Sequence, residues 1–208
     1  MLLERLHRRI VFERRVDVIV GALERLLPVG ARVLDVGCGN GWVSRRLMDR
    51  RDDLAISGLD VLRRKESYIP VRLFNGETLP FADDAFDCVL FIDVLHHTKV
   101  AARLIAEAAR VASQTLIIKD HLLDPVLAYP TLAFMDWVGN SHQGVVLPNN
   151  YWRRASWDKT FSELGISVLH WEPVPRLYPW PFSHVFGRGL HFVASLQCAP
   201  SRTLATPL

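Results

Sequence analysis

Apolar side chains along the first 27 residues recur at helical spacing. Leu3, Leu6, Ile10, Val16, Ile19, Val20, Leu23 and Leu27 are separated by charged positions, the pattern of an amphipathic helix with one face against a core. Pro28, Val29 and Gly30 predict its end. The period then changes. Residues 32–36 form a short apolar run that leads into the turn Gly37-Cys38-Gly39-Asn40-Gly41, and a helical stretch follows over 42–51. A second strand is read over 54–59, closed by Asp60, with further strands near 71–74, 86–92 and 115–118 and an Ala-rich helix over about 99–112. Strands alternating with helices predict an α/β protein with a doubly wound, parallel sheet.

After residue 121 the texture differs. Trp137, Trp152, Trp157, Trp171 and Trp180 are five of the six tryptophans, and Pro173, Pro175, Pro179 and Pro181 cluster beside them. A helix near 151–164, a strand near 166–171, an irregular Pro/aromatic loop and a last strand near 190–196 are expected, with residues 199–208 a frayed tail.

Composition narrows this picture. A chain of 208 residues buries about 70% of its unfolded surface, enough for a core without disulfides or metals. With 50% hydrophobic and 23% charged residues it is neither disordered nor low-complexity. The length suits one domain without a separate substrate domain. Mean hydropathy is +0.12, yet no strongly apolar stretch reaches the length of a spanning helix. Charges interrupt residues 1–20, so no signal peptide is read. Three irregularly spaced cysteines imply reduced thiols and a cytoplasmic location. A net charge of +3 is too small for a dedicated nucleic-acid binder.

Glycines between a first strand and a first helix permit a tight turn and close approach of a ligand to the backbone. Asp60, closing the second strand, is placed to accept hydrogen bonds from a ribose diol. Together they point to an adenosine-type ligand. A dinucleotide fingerprint starting at Gly37 would need Gly or Ala at position 42, where this chain has Trp42. No Walker loop is present.

The run Val33-Leu34-Asp35-Val36-Gly37-Cys38-Gly39-Asn40-Gly41 resembles the first motif of class I S-adenosylmethionine-dependent methyltransferases. The likeness continues at Asp60 and from Leu79-Pro80-Phe81 through Phe86-Asp87 to His96-His97, in the manner of the small-molecule branch that includes quinone-biosynthesis enzymes. It covers roughly residues 30–121. The resemblance implies a mostly parallel seven-stranded sheet with the last strand antiparallel, and S-adenosylmethionine across the strand ends. It gives Gly37, Gly39 and Gly41 to backbone contact with the cofactor, Asp35 to the methionine end, Asp60 to the ribose and Val61 to the adenine. Asn75, beside Gly76, stands where the family usually has an Asp near the adenine amine, and Ile92 and Asp93 would face the methionine portion. The short link from Asp60 to Val71 leaves room for only a stub of the usual second helix. The division implied is a lid helix over 1–28, a cofactor-binding core over 29–121 and a substrate-shaping stretch over 122–198.

Methyl transfer is an in-line displacement, served by positioning and by a base where the acceptor must lose a proton. His97 and His121 are the candidate bases, with Asp120 beside the latter and His96 at the substrate; His142 is a further candidate without a place. Trp137, Tyr151, Trp152 and Trp180 are candidate walls of an apolar or aromatic acceptor pocket, while Trp157 and Trp171 read as core. No metal is expected: H-E-x-x-H and C-x-x-C are absent, and adjacent histidines are not a chelating spacing on a helix. Arginine doublets at 8/9, 14/15, 45/46, 50/51, 63/64 and 153/154 read mostly as solvated faces, or as a basic surface for peripheral contact with a membrane. The competing functions are a non-catalytic cofactor-binding regulator and a nucleic-acid methyltransferase. For the latter, an N-P-P-Y type motif is missing after the fourth strand, where Asp93-Val94-Leu95-His96-His97 stands.

Overall fold

The computed structural model of the protein describes residues 12–140 and 148–198. Seven strands form one sheet: β1 (Arg32–Val36), β2 (Ala55–Asp60), β3 (Val71–Leu73), β4 (Phe86–Ile92), β5 (Ala112–His121), β6 (Ser167–Pro173) and β7 (His191–Gln197). Their spatial order is β3-β2-β1-β4-β5-β7-β6. The first five pair in parallel and β7 runs antiparallel to both its neighbours, so the sheet is the expected one. Helices α1 (Arg14–Leu23), α2 (Trp42–Arg50), α3 (Ala101–Val111), α4 (Ala128–Asn140), α5 (Arg154–Glu163) and the short α6 (Ser183–Phe186) complete the described chain.

The inner strands β1, β4, β5 and β7 are buried on both faces over most of their length, which accounts for their continuous apolar runs, whereas the edge strands β3 and β6 are largely exposed. Alternation along β4 and β5 divides the core in two. Val89, Phe91, Leu116 and Ile118 pack with Leu104, Ile105 and Ala108 of α3 and with Trp157 and Phe161 of α5. Cys88, Leu90 and Ile117 face Val16, Ile19, Val20 and Leu23 of α1 and Leu47 of α2. Trp157 and Trp171 join the first layer as expected, Trp171 stacked on Phe192 with ring centroids 3.9 Å apart.

Four local readings differ from the structure. The first helix ends at Leu23; its chain continues as a turn in which the Leu27 N–H bonds the Leu23 carbonyl, so Leu27 stays buried in helical register without a regular helix. Residues 1–11, the first part of the expected lid over 1–28, lie outside the described residues. No helix forms between β2 and β3. β5 is longer than its apolar stretch at both ends, because pairing with β4 and β7 extends it. Helix α4 had no amphipathic signature to announce it, since apolar residues surround it; Pro130 sits in its first turn, where the missing N–H costs nothing. Among the described residues no helix is long and apolar enough to cross a membrane.

Arginines do more than decorate helix faces. Arg46 meets Asp17 at 2.7 Å and Arg50 meets Glu24 at 3.4 Å, pairing α2 with α1 and the turn after it. Arg51 donates to the carbonyls of Glu24, Leu27 and Pro28 and holds the turn that leads into β1.

Phe192 is fully buried between the Trp171 and Trp157 rings. Phe192→Ala should lower stability by about 3–5 kcal/mol, read as a reduced urea midpoint at unchanged slope.

Candidate active site

In an open parallel sheet, ligands bind beyond the carboxyl ends of the strands where the strand order reverses. Here that point lies between β1 and β4, since β1 has β2 on one side and β4 on the other. The chain leaves β1 through Gly37, Gly39 and Gly41, all at positive φ. A Cβ on Gly37 would come within 2.5 Å of Val94, and one on Gly41 within 2.4 Å of Ile69. Two glycines thus let the loop press against its neighbours. Gly39 differs: a Cβ there would meet nothing within 4 Å, so the loop's middle faces open space.

Asp60 ends β2 beside this loop, 4% exposed, accepting the Gly39 N–H on Oδ2 and the Leu62 N–H on Oδ1, each at 2.7 Å. Each oxygen keeps a lone pair for a hydroxyl. Val61 next to it is 53% exposed, an apolar surface at the rim, and its Cγ1 would lie 3.1 Å from a Cβ on Gly76. Asn75 is occupied otherwise than expected: its Oδ1 accepts the N–H groups of Glu77 and Thr78, both at 3.0 Å. An adenine amine would have to displace one of them. Asp35 is buried, with Oδ2 accepting the Ser44 hydroxyl at 2.5 Å and Oδ1 without a partner. Burial pushes its carboxyl up to about 7 against the effect of Ser44, and Asp60 adds to the rise.

Across the switch point β4 ends at Ile92 in a polar cluster. Asp93, at φ 55, bonds Lys119 and accepts from Arg15 at 2.5 Å. Burial alone would raise the Asp93 carboxyl, but Lys119 and Arg15 hold it well below the usual range. A single turn of 3-10 helix, Leu95–His97, follows. It swings His96 onto Asp120 at the end of β5, Nδ1 to Oδ1 at 2.6 Å. The same carboxylate accepts the backbone N–H groups of Leu95 and His121. Burial opposes charge on His96, but Asp120 and Asp136 overcome it and raise its pKa to about 10. His121 Nδ1 lies 3.2 Å from His96 Nδ1, and burial and the His96 charge lower the His121 pKa.

The structure therefore brings His96, His97, Asp120, His121 and Tyr151 together. It adds groups the sequence reading passed over: Asp136, Lys119, Arg15 and His191. Asp136, 6% exposed on α4, accepts from the Tyr151 hydroxyl and stands 3.4 Å from His96 Nε2. One signal was available, as Asp136 is the sole Asp, Glu, Lys or Arg between Asp124 and Arg153. His191 enters because β7 registers it opposite His121. The expected aromatic wall is not assembled. Trp137 is 61% and Trp180 80% exposed, and Trp152 packs on Trp157 in the core layer with its indole N–H on Asn150. Only Tyr151 of the four reaches the cluster. His142 lies outside the described residues.

A switch-point cleft with a glycine loop, a strand-end carboxylate and an apolar rim defines a nucleotide-type ligand domain of class I methyltransferase architecture. Residues 34–115 match the family described as a methyltransferase domain. The chain is 30% identical over 127 residues to 27-O-demethylrifamycin SV methyltransferase of Amycolatopsis mediterranei, an alignment covering 54% of this chain and 46% of that protein. It is 34% identical over 95 residues to demethylmenaquinone methyltransferase of Tropheryma whipplei, covering 41% and 38%. The chain thus spans less than half the length of these relatives. An S-adenosylmethionine-dependent methyltransferase from Mesorhizobium loti shares the fold, with a TM-score of 0.64 at 19% identity over 85% of this chain and 96% of that one. The open space over Gly39 and the unpartnered Asp35 oxygen fit such a cofactor.

Asp35 also yields a stability prediction. Its folded pKa lies above the value of about 4 in an unfolded chain, so the folded state loses stability as pH rises from about 4 through 7. Asp35→Asn should be more stable than the parent at pH 8, by about 1–3 kcal/mol, and little different at pH 4. Urea unfolding at both pH values checks this.

Proposed function

We propose that the chain transfers a methyl group from S-adenosylmethionine to oxygen, nitrogen or carbon of a small, apolar or aromatic acceptor. The observation that carries this is the meeting, across one strand switch, of the glycine loop with Asp60 on one side and the His96–Asp120 cluster on the other. The relatives named for methylation of 27-O-demethylrifamycin SV and of demethylmenaquinone support a small-molecule acceptor. When bound, the cofactor supplies an electrophilic methyl on sulfonium.

The chain's own residues have separable tasks. Gly39 offers its backbone face, Asp60 accepts ribose hydroxyls, Val61 gives the adenine an apolar surface, and Asp35 lies toward the methionine end. Ile92 and Asp93 form the floor at the end of β4, where Lys119 and Arg15 fix the carboxylate. The acceptor's polar atom meets the imidazole cluster. His97 is its only half-exposed histidine, and His96, His121 and His191 stand behind it. His97 thus orients the acceptor or takes its proton, while Asp120 and His121 support it from the buried side. Helix α4 and Tyr151 close the acceptor side.

Calorimetry with S-adenosylmethionine should show binding at one site, weakened about 10- to 100-fold in Asp60→Ala, the range for lost charge-assisted hydrogen bonds. Circular dichroism checks that the variant is folded. Phenols and hydroquinones should then support release of S-adenosylhomocysteine. No binding by the parent chain, or undiminished binding by the variant, refutes the reading.

A further inference from the structure

We propose that His96, His97 and Asp136 form a binding site for a divalent transition metal of zinc type. The ligands are His96 Nε2, His97 Nδ1 and a carboxylate oxygen of Asp136, and the fourth position is left for water or an oxygen of the acceptor. One donor atom from each of the three residues lies within 4.8 Å of the other two. His96 Nε2 and His97 Nδ1 are both buried nitrogens without a hydrogen-bond partner, and His96 as a whole is 2% exposed. Two orphaned imidazole nitrogens beside one carboxylate need a common occupant.

The spacing fits a metal better than a proton. His96 Nε2 stands 3.4 Å from Asp136 Oδ2. With bonds of about 2.0–2.2 Å, two ligands of a tetrahedral zinc ion stand about 3.4 Å apart. A charge-assisted N–H···O bond would be about 2.7–2.9 Å, and a proton on His96 would still leave His97 Nδ1 unpartnered. The neighbouring trio His96, Asp120 and His121 is not the site, because His96 Nδ1 and Asp120 at 2.6 Å already share a hydrogen bond.

Outer contacts have the form that metal sites use. A ligating imidazole gives its other N–H to a carboxylate, which turns the free nitrogen toward the ion. Asp120 does this for His96 and is itself fixed by two backbone N–H groups. The Tyr151 hydroxyl donates to Asp136. A set of two imidazoles and one carboxylate with an open position is that of catalytic rather than structural zinc. The sequence expectation against a metal rested on adjacent histidines being poor chelators on a helix. They lie instead on a 3-10 turn, and the third ligand comes from α4.

With metal bound, His97 is a ligand, and the metal meets the acceptor's oxygen in its place. Only that last assignment rests on the methyl-transfer reading; metal binding stands apart from it. The test titrates chelator-treated chain with cobalt(II), followed by its visible ligand-field bands, and with zinc(II) by calorimetry, without cofactor. One equivalent of each should bind. Affinity should fall at least about tenfold in His97→Ala and in Asp136→Asn, and about 10- to 100-fold in Asp120→Asn. His170→Ala, changed at a half-exposed histidine on β6, should bind as the parent does. Absence of stoichiometric uptake, or uptake undiminished in both His97→Ala and Asp136→Asn, overturns the proposal. Cofactor binding without metal uptake would refute this site alone, and metal uptake without cofactor binding would refute the methyl-transfer reading alone.

Discussion

A lysine ammonium cannot be left alone in a protein interior. Lys119 points from β5 into the layer between the sheet and α1 and has no exposed surface. Its partner is Asp93, at the end of the adjacent strand, and the third member is Arg15 from α1. This demand fixes the first residue after β4, at a positive φ that a non-glycine residue adopts only under constraint. The Asp93 N–H bonds the Lys119 carbonyl at 2.8 Å, so backbone and side chain hold the same two strand ends. The trio ties α1, β4 and β5 together beside the cofactor loop. Removing one member would leave another charged and buried.

A second polar set lies around the next residue of β5. Because alternate strand residues face opposite sides, Asp120 is turned away from Lys119 and toward the 3-10 turn and α4. The two carboxylates therefore serve different partners. Asp93 takes cations from α1 and β5, and Asp120 takes His96 and two backbone N–H groups. His121 lies between, 3.8 Å from Asp93 and 3.4 Å from Asp120, and its lowered pKa follows from burial and from the charge on His96.

The parts visible in the sequence are those governed by local chemistry. Gly37, Gly39 and Gly41 announce a turn, Asp60 a strand end, and the apolar runs of β1, β4 and β5 a sheet buried on both sides. What escaped depends on long-range pairing. Arg15 reads as one arginine of a surface doublet until β5 delivers Lys119 and β4 delivers Asp93. Trp137 and Trp180 have the composition of a pocket wall, but the wall would need backbone placement that composition does not encode, and both rings face solvent. Adjacent histidines carry no metal signature by spacing; only the fold sets Asp136 beside them.

The excess of apolar residues has a related consequence for α4. Ala128, Leu132 and Asp136 are buried at i, i+4 and i+8, while Tyr129, Phe134, Trp137 and Val138 are exposed on the remaining surface. A helix apolar on every side gains little orientation from the hydrophobic effect, since turning it exchanges one apolar face for another. Its single carboxylate breaks that degeneracy. Turning α4 away would leave Asp136 without Tyr151 and His96, a loss that grows with burial. The polar cluster at the end of β4 and β5 thus also sets the rotation of α4. Whatever occupies the space between His96 and Asp136 acts on the chemistry and on that helix through the same contact.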